Sequence, residues 1–189
     1  MHQQLLNHSL LASLRTALIH SVSVAMIWLF FYHFNAWAFA YFEHNPNVSW
    51  VFLPAGIRLL AVFVFGWSGV LGLFVGSIAT NENDVDAYVI GLSSISALAP
   101  MLAVIICRWS LAIPKSLIGL TGLQLLVFAI TGAMTNSFLS QLYFYTPNTS
   151  ILLPQNFVPM FVGDILGTLI IFFIIAKLIQ CLSTRYKPD

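Results

Sequence analysis

The segment FVPMFVGDILGTLIIFFIIAKLIQCL, residues 157–182, carries only two charged side chains, Asp164 and Lys177. A helix needs about 20 predominantly apolar residues to cross the ~30 Å hydrocarbon core of a bilayer, so this stretch reads as a transmembrane helix. The rest of the chain has the same character. Of its 189 residues, 59% are hydrophobic and 7% charged, whereas globular domains carry roughly 25% charged residues. Lipid is therefore the expected solvent for most side chains, and 1–189 reads as a single integral membrane domain. A formal net charge of +1 gives no basic surface for nucleic acid.

Working back from residues 157–182, the breakers divide the chain into six helical segments. These run over about 17–42, 50–66, 70–80, 87–107, 117–145 and 157–182. The first gives way to Glu43-His44-Asn45-Pro46-Asn47, and Gly66-Trp67-Ser68-Gly69 separates the second from the third. Pro100 falls inside the fourth, and Pro147, Pro154 and Pro159 punctuate the last connection. The second and third segments are short enough to form a re-entrant hairpin in place of two crossings. Either way the chain returns to the side it left. The fold class expected is an all-α polytopic bundle.

Charge orients the bundle, because cytoplasmic loops accumulate Lys and Arg. On a six-helix path Arg15, Arg108, Lys115, Lys177, Arg185 and Lys187 fall on one side, and Glu43, Glu82, Asp84 and Asp86 on the other. Both termini are expected inside, in a bacterial inner membrane. Trp50, Tyr143 and Tyr145 then lie at the outer boundary and Trp67 and Trp109 at the inner one, where amphipathic rings prefer to sit. Cys107 and Cys181 fall at cytoplasmic helix ends, where thiols stay reduced and no disulfide is expected. The apolar run from Ala17 exceeds the roughly 7–15 residues of a signal-peptide core, so it reads as an anchor.

Ionisable groups within a membrane cost at least about 2.5–3.5 kcal/mol each and need a partner or a watery cavity. Arg58 lies eight residues beyond Trp50, and Asp164 seven beyond Phe157. At 1.5 Å per residue, both sit about 10–12 Å below the outer boundary. The spacing predicts an Arg58–Asp164 pair, with Asn136 and His33 reaching the same level. Three readings are open for this cluster: a structural clasp, a pocket for a small polar or anionic ligand, and a proton-coupled switch. Gly72 with Gly76, and Gly163 with Gly167, have the small-xxx-small spacing that lets helices approach closely. His, Cys and carboxylate spacings offer no metal site, and no nucleophile has a nearby base. Neither a cofactor nor an enzymatic activity is expected.

Two segments carry a resemblance. Trp50-Val-Phe-Leu-Pro54-Ala-Gly56-Ile57, followed by an apolar run to Gly66, and Phe161-Val-Gly163-Asp164-Ile-Leu-Gly167 in the last helix together resemble the bacterial membrane-associated sensor domain, type one of the MASE group. The match in order and spacing extends from about residue 45 to 180. The resemblance implies a sensory role, with Trp50, Pro54, Gly56, Gly66, Gly163, Asp164 and Gly167 as motif residues. Members of that family sit before kinase, cyclase or phosphodiesterase modules. The tail after Leu182 is too short for such a module, so a separate membrane signalling protein, of kinase or cyclase type, is the expected partner. An alternative of the same size and helix count is the substrate-binding S component of a vitamin-type transporter, although helix one shows no clear Ala-x-x-x-Ala coupling surface.

Overall fold

Six α-helices account for most of the described residues. The computed structural model describes residues 2–45, 48–81, 84–111, 121–144 and 153–185. Helix α1 covers His2–Ala38, α2 Pro54–Phe65, α3 Trp67–Ala79, α4 Ala87–Leu111, α5 Gly122–Phe144 and α6 Leu153–Arg185. Among the described residues, the stretches Leu10–Ala38, Ala87–Ser110, Gly122–Phe144 and Gln155–Leu182 are long and apolar enough to cross a membrane. Large apolar side chains such as Leu18, Phe30, Ile105, Phe138 and Phe173 face outward from these helices. That is the arrangement expected of a protein dissolved in lipid.

Several boundaries move. Helix α1 starts at His2, well before Ala17, because residues 2–16 carry five Leu and contain no Gly or Pro. It stops at Ala38, short of the expected Phe42. A single 3-10 turn, Ala40–Phe42, then leads into a small antiparallel hairpin of β1 (Glu43–Asn45) and β2 (Val48–Ser49). The expected start of the fifth helix at Leu117 lies outside the described residues, as do Glu82, Lys115, Tyr145, Pro147 and Lys187. Helix α5 begins at Gly122 behind a reciprocal cap, in which the Gln124 N–H donates to Thr121 Oγ1 at 3.3 Å and the Thr121 N–H to Gln124 Oε1 at 2.9 Å. Asp86 caps α4 by accepting from the Val89 N–H at 2.8 Å. Pro100 in α4 and Pro159 in α6 do not end their helices.

The short helices α2 and α3, of 12 and 13 residues, are each about 18–20 Å long. They form a helical hairpin about Gly66, whose φ of 57° suits a residue without a Cβ. Gly69 then brings α3 against the Ala61 carbonyl of α2. Nine residues of α2, from Pro54 to Phe63, are buried, because α1, α4, α5 and α6 all pack around it. Gly72 and Gly76 behave as their spacing predicts: the first lies on Ser21 and Val24 of α1, and the second is 2.8 Å from the Trp28 ring when given a Cβ. Gly163 and Gly167 do not. Their close neighbours are the carbonyl oxygens of Ser49 and Phe52, so α6 approaches an extended strand of chain where a partner helix was expected.

Candidate functional site

Between β2 and α2 the chain runs extended through Val51 and Phe52, with Val51 and Leu53 buried. Non-helical backbone at membrane depth persists only where protein groups satisfy its hydrogen bonds. Asn35 of α1, itself buried, ties this segment to α1: its Nδ2 donates to the Val51 carbonyl at 3.2 Å and its Oδ1 accepts from the Leu53 N–H at 2.8 Å. The Phe52 N–H donates to the Gly163 carbonyl at 3.1 Å. Pro54 then starts α2, where its missing N–H costs nothing. Arg58 is thereby fixed in the second turn of a helix whose start is tied to both α1 and α6.

Asn35 is a structural clamp, and its removal has a calculable consequence. Asn35→Leu leaves the Leu53 N–H without a partner, whereas the Val51 carbonyl keeps the Ser49 hydroxyl at 2.9 Å. A loss of roughly 1–3 kcal/mol in detergent unfolding is expected for the one unsatisfied group. His33→Leu, at nearly the same depth on an exposed face, should stay within about 0.5 kcal/mol of the parent.

The side chains of Arg58, Asp164 and Asn136 close a ring. Arg58 Nη2 donates to both Asp164 oxygens at 3.0 and 3.1 Å, and Nη1 to Asn136 Oδ1 at 2.9 Å. Asn136 Nδ2 completes the ring by donating to Asp164 Oδ2 at 2.7 Å. Ser96 of α4 adds a longer contact, accepting from Arg58 Nη1 at 3.4 Å. The guanidinium carbon lies 5.3 Å from the Phe52 ring centre and 5.8 Å from that of Trp28, within the range of cation–π attraction. The predicted pair and Asn136 are therefore together, joined by Ser96, Trp28 and Phe52. His33 is not among them. The inward stripe of α1 is Trp28, Tyr32 and Asn35, continued by Phe39 just past its end, and a residue one step from Tyr32 lies about 100° around the helix. His33 has the right depth on the wrong face.

Above this ring lies a half-open cavity of about 170 Å³. The ring forms its floor, α1 and the aromatic side chains of Phe52 and Phe144 form its walls, and Glu43, Asn45 and Asn81 stand towards the hairpin end. Below the ring, aromatic side chains are in contact: Phe63 to Phe128 at 5.7 Å and Phe128 to Phe172 at 6.3 Å between centres. Eight residues separate Asn136 from Phe128 and Asp164 from Phe172, about 12 Å along each helix. The arrangement suits binding from the open side of the cavity.

Arg58 alone suggests an anion, but its charge is already balanced by Asp164. Among the described residues, no three His, Cys, Asp or Glu side chains gather where a metal ion would sit. Cys107 is buried and Cys181 exposed, and neither forms a disulfide. Scans against protein-family models, curated proteins and solved structures found no match. What the site does must be read from its own geometry.

Proposed function

We propose that this chain is an integral membrane sensory module that captures a small ligand from the outer side of a bacterial inner membrane and signals through a separate membrane protein. The observation carrying the ligand half of this reading is the half-open cavity of about 170 Å³ with a fixed polar floor. The resemblance of residues 50–66 and 161–167 to type-one MASE domains supports the sensory half. The positive-inside rule supports the orientation, since Arg15, Arg108 and Lys177 belong to one end of the bundle and Glu43, Asp84 and Asp86 to the other. On that orientation the four long helices cross, and the α2–α3 hairpin enters from outside and returns. Both termini are inside, and the cavity opens outward.

Native mass spectrometry of protein taken directly from its membrane tests the ligand half. The expected result is a species carrying one small molecule per chain. Ser96→Phe, which fills the cavity beside Arg58, should lose it. A ligand-free mass in every preparation, or an adduct indifferent to Ser96→Phe, contradicts the reading.

A further inference from the structure

We infer that the cavity takes a neutral, single-ring aromatic molecule. The inference rests on the reading of the cavity as a ligand site and adds the chemistry of its occupant. Size comes first. A dry cavity of about 150 Å³ accommodates benzene, so a volume of about 170 Å³ has room for one ring with a small substituent.

Charge comes next. Arg58 and Asp164 neutralise one another through two contacts of 3.0 and 3.1 Å, and Asn136 spends its side-chain oxygen on Arg58 and its nitrogen on Asp164. The floor offers no net charge to offset the desolvation of an ionic ligand. An anion would also meet Asp164 and Glu43, both of which line the cavity. A cation would find the faces of Trp28 and Phe52 already occupied by the Arg58 guanidinium at 5.8 and 5.3 Å, and Glu43, the remaining acid of the lining, is exposed, where solvent screens its charge.

The walls select the remaining character. Trp28, Tyr32, Phe39, Phe52 and Phe144 line the cavity, and aromatic rings favour an aromatic guest in offset or edge-on contact.

Benzamide, benzoate and benzylammonium form a test set of nearly equal size and different charge. Binding is measured by calorimetry on the full chain in lipid nanodiscs. The inference expects benzamide to bind at least tenfold more tightly than either ion. Equal or tighter binding of benzoate or benzylammonium overturns it, as does failure of all three.

Outward access to the cavity, measured by thiol labelling as described in the Discussion, tests the underlying reading separately. If the labelling succeeds and benzamide fails, the chemistry is wrong and the cavity stands.

Discussion

Arg58→Met and Asp164→Leu should each destabilise the purified protein by about 3–5 kcal/mol, because each leaves its partner's charge buried and unpaired. Together they should cost less than either alone. The physical ground is the burial of the pair, with side chains 6% and 3% exposed. The double variant will not recover fully. Asn136 spends its oxygen on Arg58 and its nitrogen on Asp164, so removing both partners leaves a buried amide unsatisfied, at about 1–3 kcal/mol. Adding Asn136→Leu should recover much of that remainder. Chemical unfolding in detergent, with the three variants compared as a cycle, measures the coupling. Additive losses from the two single changes would show that the charges do not depend on each other.

The second large effect is expected at a residue with no chemistry of its own. Gly167→Ala places a Cβ inside the van der Waals radius of the Phe52 carbonyl oxygen, with the Phe52 carbon and the Leu53 nitrogen close behind. All three neighbours are backbone, so no rotamer change relieves the overlap. Overpacking of a core usually costs about 1–3 kcal/mol, and this variant should fall at or beyond the upper end. The damage also has a direction. The displaced segment carries the start of α2, so Arg58 should lose its register with Asp164 and ligand binding should fall with stability. Gly122→Ala is the control, since a Cβ there meets nothing within 4 Å. A change at Gly167 no larger than that at Gly122 would mean that α6 and the extended segment are not in contact.

The helical bundle and its polar centre were legible in the sequence for one reason: charge is so expensive in lipid that each intramembrane ion announces a partner. Depth along a helix follows from counting residues, and Arg58, Asn136 and Asp164 meet as counting predicts. Azimuth needs a face, and His33 was misjudged because its nearest polar landmarks gave depth only. The stripe Trp28, Tyr32, Asn35, Phe39 has helical spacing and could have pointed to the inward face of α1. Asn35 was missed as a single amide in an apolar run. Its partners are backbone groups of residues 51 and 53, and backbone partners leave no mark in composition. The spacing of Gly163 and Gly167 correctly announced a close approach, but it did not distinguish a neighbouring helix from an extended strand. Gly66, by contrast, marked the α2–α3 turn correctly.

The central claim is that the Arg58–Asn136–Asp164 ring floors a cavity open to the outer side, and thiol labelling tests it most directly. In a background with Cys107 and Cys181 replaced, Ser96→Cys puts a thiol on the cavity wall next to Arg58. Ser94→Cys puts one on the same helix outside the cavity lining, and Arg108→Cys puts one at the opposite end of the bundle. A small membrane-impermeant methanethiosulfonate added outside intact cells should modify Ser96→Cys and leave the other two unmodified. Protection of Ser96→Cys together with labelling of Arg108→Cys would contradict both the outward-facing cavity and the orientation of the chain.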